Sequence, residues 1–310
     1  MNHSRLITIL IIVLLKLVIL ISIALGCNIT DTDAIAAAKS FCSKMGISFS
    51  QEPWVLSTNS SSRYDSFETK EVAYGERGDF KGFITVNCDN SEVNSYMNSE
   101  LRNRVRKKYR ISSITTEPRN WPPFLSEKKA KEKIFSIAKK IGLPSDVEFS
   151  QLGNDNENGF WGGNWIRKHN GYPYEKDRIS IEIMAVDGEF FSYNKIYHGK
   201  PCPTDVKVKK EEAIKDGWQQ IERLFSQVDW KKHKKEYVVK SSDLKIVQPN
   251  SLAGQIVRRH SKESRLAWVL VYGLKERPSR DKLSEINYLQ NIEIKIDAGS
   301  RKFLGGDYSR

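Results

Sequence analysis

The sequence predicts helices and strand meanders, repeated in about three tandem units behind one N-terminal hydrophobic helix. Three observations predict this. Residues Trp165 to Tyr193 read as a meander: Asn170-Gly171 and Asp187-Gly188 are turn dipeptides, and Ile179, Ile181 and Ile183 alternate with polar residues at the period of a half-buried strand. A helical pattern precedes that meander, with weaker echoes of the same arrangement on either side. The echoes keep order and spacing. Met45-Gly46-Ile47 matches Ile141-Gly142-Leu143, and Glu92 to Tyr96 matches Glu189 to Tyr193, at nearly the same offset.

The elements follow in order. From Leu6 to Leu25 the chain is almost wholly Ile, Leu and Val, broken by Thr8, Lys16 and Ser22. About 20 such residues at 1.5 Å each match a bilayer core. Length favours an uncleaved anchor, since a cleaved secretory signal usually has a shorter apolar run. Arg5 on the short side places the body outside the cytoplasm by the positive-inside tendency. Ala24-Leu25-Gly26-Cys27 also resembles a bacterial lipobox, in which Cys27 is lipidated, and simple secretion is a third reading. All three export the body of the protein.

Ala34, Ile35, Ala38, Phe41, Cys42 and Met45 form one apolar helical stripe, and Gly46 is a natural stop. Residues 83–86 read as a strand and Asp89-Asn90 as a turn. Arginines and lysines crowd residues 102–110, and Trp121-Pro122-Pro123 marks a boundary because proline forbids regular structure there. Ser126 caps a second helix with Ala130, Ile134, Ile137, Ala138 and Ile141 inward, stopped at Gly142 and Pro144. Residues 153–163 read as a loop rich in Gly, Asn and Asp. Lys200 to Pro203 is a further break. A third helix spans about 211–225, and Lys231 to Lys235 is a charged tip. Residues 267–272 read as a buried strand, and Ile292, Ile294 and Ile296 alternate before the turn Asp297-Ala298-Gly299. The division is therefore 1–26 anchor or signal, 27–97 first unit, 98–123 basic linker, 124–200 second unit and 201–310 third unit.

The chain has 310 residues, 39% of them hydrophobic and 28% charged, with a net charge of +12. That excess favours anionic partners. Export argues against nucleic acid and leaves lipid headgroups, anionic envelope polymers or acidic protein faces. Cys27, Cys42, Cys88 and Cys202 show no metal-type spacing. Outside the cytoplasm Cys42 and Cys88 are able to pair within the first unit, with Cys202 left over. Buried free thiols are the other reading.

The order of helix, Trp-bearing strand and a strand ending in Asp-Ala resembles the PepSY domain and the exported bacterial proteins that carry it in tandem. The residues are Ala213-Ile214, Trp268-Val269, Ile294 to Ala298 and Phe303 to Gly306, and in the middle unit Ala130, Trp165, Ile181 to Val186 and Asp187-Gly188-Glu189. The resemblance implies an α+β fold, each unit one helix laid across a small antiparallel sheet. It implies no cofactor, and binding of a protein or peptide, including restraint of an exported peptidase.

No catalytic motif offsets this. The histidines (His3, His169, His198, His233 and His260) have no ligand spacing. His233, within a lysine cluster, is expected at the surface, and Asp155, Glu157, Asp187 and Asp297 are expected to form turns. Gly159-Phe160-Trp161-Gly162-Gly163 has no following helix to make a phosphate cradle. No catalytic, cofactor or metal residue is therefore expected. The leading expectation is a membrane-tethered, extracytoplasmic, non-enzymatic protein that binds a protein or peptide at an open sheet edge or face. The alternatives are a cell-envelope hydrolase with a site assembled from separated residues, and a structural envelope protein binding anionic polymers.

Overall fold

The computed structural model describes residues 27–49, 51–59, 68–76, 79–108, 122–253, 256–260, 263–276 and 289–309. The chain divides into two compact units, Met1–Ile111 and Ser112–Arg310.

In the first unit, helix α1 (Asp31–Met45) starts at a reciprocal cap. The Asp33 amide donates to the Thr30 hydroxyl (3.1 Å), and the Thr30 amide donates to the Asp33 carboxylate (3.0 Å). The helix ends at Gly46 with φ +74°, a left-handed position that glycine takes without steric cost. Its buried stripe is Ala34, Ala38 and Cys42. It lies on an antiparallel sheet of β1 (Trp54–Asn59), β2 (Thr69–Glu76), β3 (Asp79–Asn87) and β4 (Val93–Asn98), in that order. Val72, Tyr74, Ile84 and Tyr96 form its core. Helix α2 (Ser99–Lys108) opens the stretch expected to be a linker, and Leu101 and Val105 explain why: both are buried, while Arg104, Lys107 and Lys108 lie exposed on the solvated side of an amphipathic helix.

Cys27 is bonded to Cys88, with Cα atoms 4.9 Å apart, and Cys42 is a free buried thiol. The expected Cys42–Cys88 pairing is thus corrected. Cys42 belongs to the helix face turned onto the sheet, and Cys27, just ahead of the helix, is the cysteine that meets Cys88. A sulfur held in this bond is not available for the thioether of a lipidated Cys27. The bond belongs with an oxidising, extracytoplasmic setting.

In the second unit, helix α3 (Glu127–Ile141) is capped by Ser126 and ends at Gly142, φ +76°. It buries Ala130, Ile134 and Ala138 on β6 (Phe160–His169) and β7 (Tyr172–Met184). Strand β5 (Val147–Asp155) lies outside β6, and β8 (Phe190–Ile196) lies on the other side of β7. Helix α4 (Lys210–Leu224) buries Ala213, Gly217 and Ile221. A short helix α5 (Trp230–His233) follows it. Strands β9 (Tyr237–Val247), β12 (Arg265–Leu274), β13 (Asn291–Asp297) and β14 (Phe303–Ser309) are adjacent in that order, and β10 (Asn250–Ala253) pairs with β11 (Ile256–His260) as a separate hairpin. Leu270, Tyr272, Ile292, Ile294 and Ile296 form one core with Ala213, Ile221 and Phe225.

The three separate helix-on-small-sheet units expected from the sequence are not the architecture. Most of the fold is large mixed sheet. Residues on both sides of the Lys200–Pro203 break share it, because β7 pairs in parallel with β9 at Tyr174 and Ile246. Strand β7 runs thirteen residues. Its later part is flanked by β6 and β8, while its start reaches β9, so the second and third expected units merge. The expected loop at 153–163 is a hairpin of β5 and β6. The apolar segment 6–25 lies outside the described residues. Among those residues no helix is long and apolar enough to cross a membrane. The longest are 15 residues, about 22 Å at 1.5 Å per residue, against about 30 Å of hydrocarbon. The expected transmembrane helix is accordingly not among the described elements.

Candidate functional site

The outer strand β5 is the most distinctive surface of the second unit. Among the described residues it pairs with β6 alone, so its other edge presents unpaired N–H and C=O groups. A bulge at Ser150, between the pairs Phe149–Trp165 and Gln151–Asn164, resets the alternation. Val147, Phe149 and Leu152 are therefore half-buried on the side of α3, and Glu148, Ser150 and Gln151 are exposed. Glu148 is paired with Lys168 at 2.5 Å.

Beside this edge α3 builds an aromatic shelf. The Phe135 ring is 4.9 Å from Phe149 and 5.7 Å from Trp165, and Phe149 lies edge-on to Trp165 at 5.4 Å. Phe135 is still 39% exposed, one of few large apolar side chains so placed among the described residues. The shelf depends on close approach of helix and sheet at Gly163, where a Cβ would fall 2.6 Å from Ile134 Cγ2. The Lys131 ammonium is 5.4 Å from the Phe149 ring centre and 5.8 Å from that of Phe135. Lys128, Lys131, Phe135 and Lys139 follow at steps of three and four residues, one stripe of a helix. The three lysines are exposed and have no carboxylate partner among the described residues.

Two other polar clusters among the described residues are held by mutual contacts. Arg167 Nε donates to Asp146 Oδ2 (2.7 Å), and its Nη1 donates to Asp177 Oδ2 (2.9 Å) and to the Gly199 carbonyl (2.7 Å). The rings of Tyr174 and Tyr197 each lie 4.5 Å from its guanidinium. Asp177 also accepts the amides of His198 and Gly199. This network holds the segment after β8, and within it the buried Tyr174 hydroxyl has no hydrogen-bond partner among the described residues. Glu175 of β7 reaches across β9 and β12 to the buried Lys295, at 2.7 Å, and Glu293 lies 3.3 Å from the same ammonium.

The charged tip at Lys231–Lys235 lines an open cavity of about 880 Å³ with Glu222, Ser226, Val228, Asp229 and Trp230. Its lysines sit at the C-terminal end of α4, where cations complement the helix dipole. His233, expected at the surface, is instead 7% exposed and bonded to Glu236 at 3.2 Å, because its short helix packs Trp230 and His233 inward. The side chains of His3 and His260 lie outside the described residues. His169 and His198 are half-buried at separate strand ends.

Burial pushes the Cys42 thiol up to about 12 and raises that of Cys202 as well, so neither is an activated nucleophile. Asp155, Asp187 and Asp297 each accept backbone amides within their own turns. No group of three or more metal-ligating side chains occurs among the described residues.

The sequence reading missed β5 and Phe135. The signal was present: Val147 and Phe149 alternate with polar residues, and Phe135 stands one step off the inward stripe. Comparison with known proteins finds no matching family model and no matching curated protein.

Proposed function

We propose that this chain is an exported, non-catalytic binding protein whose second unit captures an extended segment of a protein partner by strand addition along β5. The observation that carries the reading is the outer edge of β5, with no strand beyond it among the described residues, lying against an exposed aromatic side chain. Backbone groups of the edge would supply affinity, and the shelf of Phe135 and Phe149 would read alternate side chains of the added strand. The Cys27–Cys88 bond supports a partner met outside the cytoplasm. The resemblance to PepSY-like domains points to the same class of partner, including an exported peptidase held in restraint, and its Trp165 is part of the shelf.

The test is selection of nine-residue peptides on the full chain, followed by amide hydrogen exchange of the best binder's complex. Slowed exchange across residues 147–155 is the expected result. Protection elsewhere, with β5 unchanged, would sink the proposal.

A further inference from the structure

We infer that the strand taken up by β5 is acidic as well as apolar: an extended peptide whose α3-facing side chains combine carboxylates with a large apolar group. This rests on strand addition at β5 and goes on to name the occupant. In an added strand every second side chain falls on the α3 side, about 6.8 Å apart. The stripe from Lys128 to Lys139 is about 16 Å long at 1.5 Å per residue, so it meets two or three of those side chains. At its middle stands Phe135, and the three lysines around it have no carboxylate partner among the described residues.

The opposite face of β5 selects no charge in the same way, because Glu148 is already neutralised by Lys168. A near face reading carboxylate, apolar, carboxylate therefore complements what the helix presents. An anionic polymer would satisfy the lysines, but it would leave Phe135 uncovered and the β5 amides without partners.

Four probes on the full chain decide the matter. One is a nine-residue peptide with glutamates flanking a leucine on one face. The second is the same peptide with lysines for glutamates. The third is the glutamate peptide N-methylated at alternate amides, and the fourth is polyphosphate. The glutamate peptide should bind at least about fivefold more tightly than the lysine peptide at low salt, as exposed ion pairs of up to about 1 kcal/mol allow. Lys131→Glu should erase or reverse that preference, and rising salt should shrink it.

Equal binding of the glutamate and lysine peptides, with the N-methylated peptide failing to bind, would overturn the acidic occupant and leave strand addition standing. Undiminished binding of the N-methylated peptide, or no binding of any peptide, would remove strand addition itself. Polyphosphate that competes with the peptide and binds Phe135→Ala as well as the parent chain would make a polymer the occupant instead.

Discussion

Strands β5 and β14 are both outer strands of the second unit's large sheet, and the protein treats them differently. At β14, which like β5 has one paired neighbour among the described residues, another segment of the chain packs closely against the strand. The start of β10 lies so close that a Cβ on Gly305 would fall 2.1 Å from the Asn250 carbonyl oxygen, and the Asn250 side-chain Nδ2 donates to the Gly306 carbonyl at 2.7 Å. Gly305 has φ +117°, a conformation only glycine holds without strain, so the fit is built into the backbone. Among the described residues no segment approaches β5 so closely; its edge carries a bulge and polar side chains, devices that discourage pairing with itself but do not cover it. The contrast teaches that two outer strands of one sheet differ in how tightly the rest of the fold is packed onto them.

The lysines of the two halves offer the sharpest way to break the comparison. Lys295→Met removes the ammonium that Glu175 and Glu293 share, leaving the Lys176 charge acting on both, and it should lower unfolding free energy by about 3–5 kcal/mol. Lys131→Met, at the open edge, should change it by no more than about 0.5 kcal/mol while weakening peptide binding. Urea titration of both variants checks the pair, and equal losses would erase the distinction between a lysine that holds the fold and one that waits for a partner.

Gly305→Ala comes next, at about 3 kcal/mol, from steric overlap plus a disfavoured φ. It should loosen the packing of β10 on β14, and urea titration should show the loss. Unchanged stability would mean that this close approach does not hold the two segments together. Gly163→Ala should cost less, about 1–2 kcal/mol, because the Ile134 methyl it meets belongs to a side chain that can shift. It should still weaken peptide capture by moving α3 off the shelf.

The smallest effect is pH-dependent. Burial raises the Glu293 carboxyl first, with Glu175 and Asp307 adding to it and Lys295 opposing. The folded state therefore binds this proton more tightly than the unfolded chain does. Stability from this group rises as pH falls through the raised value toward the ordinary carboxylate range. Thermal melts from neutral to mildly acidic pH should show the parent chain gaining on Glu293→Gln, and a parent chain that loses ground would contradict the assignment.

Much of the local structure was legible. Gly46 and Gly142 stop helices because a helix end leaves carbonyls that a left-handed residue lets the chain satisfy, and the alternation of Ile179, Ile181 and Ile183 marks one buried face. What was not legible is long-range. The register that joins β7 to β9 rests on Tyr174 and Ile246, which share no local signal, and a Pro-Cys-Pro break between them reads as a boundary. His233 was misjudged because four neighbouring lysines mask a one-turn helix with an inward face. The open edge of β5 is likewise invisible in one dimension, since an edge is defined by the strand that is not there.

The Cys27–Cys88 bond has a mechanical consequence. A pull applied at residue 27 does not have to unwind α1 turn by turn. The tension crosses the sulfurs and enters the sheet at the end of β3, where several backbone hydrogen bonds resist together rather than one after another. The first helix is thereby shielded from force arriving from upstream.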